Sequence, residues 1–223
     1  MPEIMINGPV GRLEARYHTT NQKNAPVALI LHPHPQRGGN MNNKVVFSLY
    51  KAFSSMGFNV LRFNFRGVGR SEGRFGQGEG ELGDAAACLD WLQNHNPEPF
   101  HCWVAGFSFG AWIGMQLLMR RPEFNGFIAV SPPANLYDFT FLAPCPTSGL
   151  VIQGDLDGIV PKDAPLRLSN RLSSQKGISV DFRLIKGADH FFKDHLDEVS
   201  LRVIEYVQKA MQPKPLGRKT ATS

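Results

Sequence analysis

The sequence predicts an α/β protein, a mostly parallel sheet of about eight strands flanked by helices, folded as a single domain over residues 1–212. Three observations predict it. Apolar runs of strand length, such as 26–32 (PVALILH) and 101–107 (HCWVAGF), lack polar alternation, as strands buried on both faces of a sheet require. Between such runs lie segments with apolar residues at helical spacing, punctuated by Gly and Pro. The two kinds of segment alternate, and a strand–helix–strand unit closes as a right-handed parallel crossover.

Residues 3–7 and 11–18 alternate apolar and polar side chains about Asn7-Gly8-Pro9, the signature of a hairpin. Strand 26–32 is followed by a helix over 43–56, whose apolar stripe falls at 45, 46, 49, 53 and 56 and whose stop is Gly57. Strand 58–65, helix 81–95, strand 101–107 and a helix over 109–121 closed by Pro122 continue the pattern. Strands over 126–131 and 148–153, a helix over 163–174, a strand over 178–185 and an amphipathic helix over 196–211 complete it. The hairpin is expected to be antiparallel and the six later strands parallel. The stretch 132–147 is too short for a large lid, and 213–223 reads as a basic, disordered tail.

With 223 residues and 42% hydrophobic content, the chain can bury a core. No apolar run reaches the ~18–20 residues that span a bilayer. The N-terminus lacks the cationic start and apolar core of a secretory signal. A soluble, cytoplasmic protein without membrane association is expected. Cys88, Cys102 and Cys145 form no CxxC pair and are odd in number, so they read as buried, reduced thiols. The net charge is +5, but Lys214, Arg218 and Lys219 in the tail supply three of those charges. No aromatic residues interleave with them, and no nucleic-acid partner is expected.

The chemistry is carried first by Gly106-Phe107-Ser108-Phe109-Gly110, between a strand and a helix. A serine hydroxyl is a weak nucleophile until it is exposed and given a base. A GxSxG turn projects the oxygen outward, and glycines two residues to either side relieve the crowding. Of seven histidines, His190 is the expected base, because it follows strand 178–185 and ligands bind beyond the carboxyl ends of such strands. The orienting acid belongs between serine and histidine in the chain, and the loop 154–161 (GDLDGIVP) offers Asp155 and Asp157, which pattern alone does not separate. Asp189 adjoins the histidine too closely to orient it and reads as a loop former. After strand 26–32, the run His32-Pro33-His34-Pro35-Gln36 can supply an oxyanion-hole N–H beside that of Phe109. The prolines have none, which leaves His34 or Gln36; His34 is preferred.

On these motifs the chain resembles the α/β-hydrolase superfamily over about residues 10–210. The resemblance rests on the loop His32 to Pro35, the segment 64–73 (NFRGVGRSEG), the GxSxG elbow, the DxxVP loop and the Gly187–His190 turn. In that family the acid is the aspartate three before Val-Pro, which here is Asp157. More narrowly it is similar to small, lidless bacterial hydrolases of the dienelactone-hydrolase type. It departs from them in having Ser108 where they have cysteine, and Pro33 where the loop usually has glycine.

Other patterns were weighed against this one. Gly78-Glu79-Gly80-Glu81-Leu82-Gly83 spells GxGxxG, but it carries carboxylates and follows no strand, so no dinucleotide is expected. His32 and His34 lack further ligands at metal spacing, and no metal is expected. Phe75, Phe139, Phe141, Phe191 and Phe192 read as core first and pocket lining second. Arg66 and Arg70 read as loop ion pairs before substrate contacts. The expected activity is cofactor-free hydrolysis of a small-molecule ester or thioester through an acyl-enzyme, with the triad Ser108, Asp157 and His190 and the oxyanion donors Phe109 and His34. A short-peptide peptidase and a non-catalytic hydrolase-fold binding module are the alternatives.

Overall fold

The computed structural model describes residues 3–20 and 22–212. The expected basic tail 213–223 lies outside the described residues. Eight strands form one sheet: β1 (Glu3–Gly8), β2 (Gly11–His18), β3 (Val27–Leu31), β4 (Asn59–Phe63), β5 (Cys102–Phe107), β6 (Gly126–Val130), β7 (Gly149–Gly154) and β8 (Val180–Ile185). Their spatial order is β1-β2-β4-β3-β5-β6-β7-β8. The hairpin pair β1–β2 and the β2–β4 pair are antiparallel, and every later pairing is parallel.

The alternation of side chains along each strand divides the core into two layers. Val27, Leu29 and Leu31 of β3 point to one face, where they meet Leu82, Ala85 and Leu89 of α2 (Glu79–Asn94) and Ile113 and Leu117 of α3 (Phe109–Leu118). Leu168 and Leu172 of α4 (Asp163–Ser173) join that layer. Ala28 and Ile30 point the other way, toward α1 (Lys44–Ser55) and α5 (Leu196–Met211). With cover on both sides, β3 to β7 are buried at nearly every position, which is why their sequences read as unbroken apolar runs.

Two helix ends differ from the sequence reading by more than one residue. Helix α2 begins at Glu79, two residues early, because the Glu81 carboxylate accepts the N–H groups of Gly76 (2.8 Å) and Gly78 (2.7 Å) and so closes the helix start. These bonds occupy the N–H groups that a phosphate would need in the GxGxxG-like run. Helix α3 ends at Leu118, and Arg121 beyond it pairs with Asp90 and Glu123, each at 2.7 Å. A short 3-10 turn, Pro35–Arg37, was not foreseen. Arg66 and the fully buried Asp84 form an ion pair (2.7 Å) that fixes the loop after β4, and Arg70 pairs with Glu3. Deleting one member of a buried pair costs about 3–5 kcal/mol. The three cysteines are free and buried. Among the described residues, no helix is long and apolar enough to cross a membrane.

Candidate active site

Parallel strands in one sheet place their carboxyl ends along one rim. The loops after β3, β5, β7 and β8 all emerge there, and they carry His34, Ser108, Asp157 and His190. Ser108 joins β5 to α3 with φ 52 and ψ −119, a left-handed conformation that an L-residue adopts only under constraint. The constraint is packing. A Cβ on Gly106 would collide with the Gly110 carbonyl, and one on Gly110 with the Leu31 carbonyl, so both positions need glycine. The serine backbone is held from both sides: its N–H donates to the Val130 carbonyl (2.8 Å), and its carbonyl accepts from Ala111 (2.9 Å). Its side chain makes no cap bond to α3 and faces a cavity of about 410 Å³.

His190 lines the same cavity, in the loop after β8. Its Nδ1 lies 2.7 Å from Asp157 Oδ2. An ionised carboxylate only accepts, so Nδ1 carries the proton and Nε2 keeps a free lone pair. Asp157 is itself fixed: Oδ1 accepts the N–H groups of Ile159 (2.9 Å) and Val160 (2.8 Å), and Oδ2 also accepts from Gln153 (2.9 Å). Burial pushes the Asp157 carboxyl toward the neutral form, but the bond from His190 and the backbone donors outweigh it and hold its pKa below the ordinary value. The pair is water-poor, with side-chain exposures of 7% for His190 and 0% for Asp157.

The neighbouring aspartates have other work. Asp155 accepts the Gly187 N–H (2.5 Å) and Asp189 the Phe191 N–H (3.0 Å), so both shape the histidine loop. Gly154 allows that loop to touch the end of β7, since a Cβ there would meet the Ala188 carbonyl.

The β3 loop contributes His34 and Arg37 to the cavity. The backbone N–H of His34 and that of Phe109, the first residue of α3, have no acceptor among the described residues. The His34 imidazole accepts from the Gln36 N–H (3.2 Å) and packs beside Phe75 and Phe109. His32 does not reach the cavity. Its Nε2 accepts the Phe65 N–H (3.0 Å), and its Nδ1 meets the Pro33 carbonyl (2.6 Å). Burial brings its pKa down to about 3, so the ring is neutral and both nitrogens serve the backbone. Neither ring nitrogen remains for a metal. Among the described residues, no group of three or more His, Cys, Asp or Glu side chains is placed to hold one.

Of the five phenylalanines considered for the pocket, Phe191 lines it. Phe139 and Phe192 are core, and Phe75 and Phe141 pack against the core. The remaining wall includes Pro133, Leu136, Tyr137 and Ile159, together with Asn43. Sequence reasoning missed these. Ile159 lies inside the DxxVP motif, whereas Leu136 and Tyr137 sit in a loop without periodicity. Segment 132–147 forms no lid: Phe139, Leu142 and Cys145 sink into the core, and Tyr137 stacks on Trp112 at 4.3 Å.

The geometry can be set beside known proteins. The family model for X-Pro dipeptidyl-peptidases of the S15 family matches residues 7–192. An α/β serine hydrolase without a lid from Xanthomonas campestris superposes with a TM-score of 0.85 at 32% identity, covering 96% of each chain. The chain belongs to the α/β serine hydrolase family. A hydrolase-fold protein of unknown function from Agrobacterium tumefaciens is more similar still, with a TM-score of 0.92 and 52% identity over 96% of this chain and 100% of that one. An uncharacterised protein of Rickettsia prowazekii is 54% identical over 211 residues, 93% of this chain and 89% of that one. The lysophosphatidylserine lipase ABHD12 of Rattus norvegicus is 27% identical over 179 residues, and the matched region spans 43% of the lipase.

Proposed function

We propose that this hydrolase cleaves a small carboxylic ester or thioester through an acyl-enzyme on Ser108. The observation that carries the reading is the polarised pair Asp157–His190, with His190 and Ser108 lining one cavity. His190 takes the serine proton as the oxygen attacks the carbonyl carbon. The N–H groups of Phe109 and His34 receive the negative charge that forms on the carbonyl oxygen. His190, now cationic and stabilised by Asp157, returns the proton to the leaving alcohol or thiol. Water then enters and attacks the acyl carbon as His190 removes its proton; His190 returns that proton to the departing Ser108 oxygen, and the acyl group leaves as a carboxylic acid. The chemistry needs no cofactor.

Peptide cleavage is the second reading, because the matching family model is that of dipeptidyl-peptidases. Recognition of a free peptide N-terminus calls for a carboxylate facing its ammonium, and none of the cavity-lining residues is Asp or Glu. That composition favours esters. The proposed partner is therefore a small molecule, and three buried thiols suit a reducing compartment, so the cytoplasm is the proposed address. Rates on 4-nitrophenyl esters of two to eight acyl carbons, set against aminoacyl and Xaa-Pro nitroanilides, test the choice. Turnover of esters alone is expected. Turnover of Xaa-Pro nitroanilides alone would replace this reading with the peptidase.

A further inference from the structure

We infer that Arg37 selects the substrate, binding a carboxylate or phosphate group on an ester whose apolar chain lies against Leu136, Ile159 and Phe191. The inference rests on the ester hydrolysis proposed at Ser108.

The cavity wall combines two chemistries. Leu136, Ile159 and Phe191 stand 61%, 47% and 52% exposed, large apolar groups that leave water only when something covers them. With them is Arg37, the single permanently charged residue among those lining the cavity. It has no ion-pair or side-chain hydrogen-bond partner among the described residues, whereas Arg12, Arg66, Arg70, Arg121, Arg183 and Arg202 are all paired. No lining carboxylate competes for it. Glu81, whose charge acts on His34, is fully buried with its oxygens bound to backbone N–H groups.

Arg37 is also placed precisely relative to the reacting centre. It ends the 3-10 turn that His34 caps, and its own N–H donates to the His34 carbonyl (3.0 Å). Gly38 closes the turn at φ 76, and Gly39 packs so tightly on Pro33 that a Cβ would strike the Pro33 carbonyl. The backbone of Arg37 is therefore tied to His34, the residue proposed to supply an oxyanion N–H. Its positive charge is felt by two other lining residues: after burial, it is the main influence lowering the His34 pKa, and it opposes the burial that raises Tyr137. From that anchored backbone the guanidinium can read a planar carboxylate or a phosphate in two-point fashion.

A binding measurement separates this inference from the hydrolysis itself. Calorimetric titration of Ser108→Ala with hexanoate, hexyl phosphate and hexanol compares charge on a constant chain. Both anions are expected to bind at least about fivefold tighter than hexanol. The gap should vanish in Ser108→Ala/Arg37→Gln and persist in Ser108→Ala/Arg167→Gln, since Arg167 borders a separate groove beyond Tyr137. The better anion names the headgroup. No binding of either anion, equal affinity for all three, or a gap that survives Arg37→Gln overturns the inference. Turnover then tells the two proposals apart. A protein that binds the anions and cleaves no ester defeats the hydrolysis alone. One that cleaves neutral 4-nitrophenyl valerate at least as well as the 4-nitrophenyl monoester of glutaric acid defeats the anion preference alone.

Discussion

His32 and His190 are both buried histidines at the same rim of the sheet, yet their surroundings give them opposite uses. His32 offers one nitrogen to the Phe65 N–H and the other to the Pro33 carbonyl, so the backbone consumes the whole ring. His190 gives one nitrogen to a carboxylate and lines a cavity. A histidine with both nitrogens spent on main-chain groups is a structural strut. One with a carboxylate behind it and a cavity beside it has a nitrogen left to serve as a base. The difference lies in partners, and burial alone would not reveal it.

Variants of the residues around the two rings put this contrast to the test. Ser108→Ala and His190→Ala should each lower kcat/KM on a 4-nitrophenyl ester by at least about a thousandfold; Ser108→Ala should keep the unfolding midpoint close to that of the parent, whereas His190→Ala should lower it by leaving the buried Asp157 carboxylate without its partner. Asp157→Asn should cost about a thousandfold or more in kcat, because an amide at that position stabilises the wrong histidine tautomer. His32→Leu reverses the pattern. It orphans a buried N–H and a buried carbonyl, at about 1–3 kcal/mol each in urea-unfolding stability, with activity per folded molecule much less affected.

The pH dependence of stability separates the same two rings. Burial, the main influence on His32, holds its folded pKa at about 3 against an ordinary 6.5. The unfolded chain therefore binds the extra proton first. The contribution of His32 is complete above pH 6.5 and drains away as pH falls toward 3, so stability should decline over that window. His32→Leu should flatten that decline. The depressed Asp157 carboxyl acts in a lower window, its contribution being lost as pH falls through the acid range below its ordinary value. A parallel decline in parent and variant would show that other groups carry the slope. The smallest effect is expected from Asp155→Asn, since the amide oxygen still accepts the Gly187 N–H. A loss of less than about threefold in kcat/KM separates this loop former from Asp157.

Much of this molecule can be read in its sequence because the physics there is local or periodic. Strands covered on both faces must be apolar throughout, so 26–32 and 101–107 announce themselves. Gly106 and Gly110 appear where backbone contact forbids a Cβ, which makes the elbow visible as a motif. Asp155 and Asp157 were not separable by pattern, because both are loop aspartates that accept backbone N–H groups. Only the three-dimensional placement shows which of them also meets His190. The cavity wall was illegible for a related reason. Leu136, Tyr137 and Ile159 come from loops after β6 and β7, and their neighbours in space are remote in the chain. Arg37 was hidden likewise, in a 3-10 turn that two prolines and a glycine pair had marked only as a loop.

Activation of Ser108 by His190 is decided by intact-mass and peptide analysis after exposure to a fluorophosphonate. One adduct per chain is expected, located on Ser108, formed rapidly by the parent and at least about a hundredfold more slowly by His190→Ala. Failure of the folded parent to label, or equal labelling rates in parent and His190→Ala, would contradict it and leave a hydrolase fold used for binding.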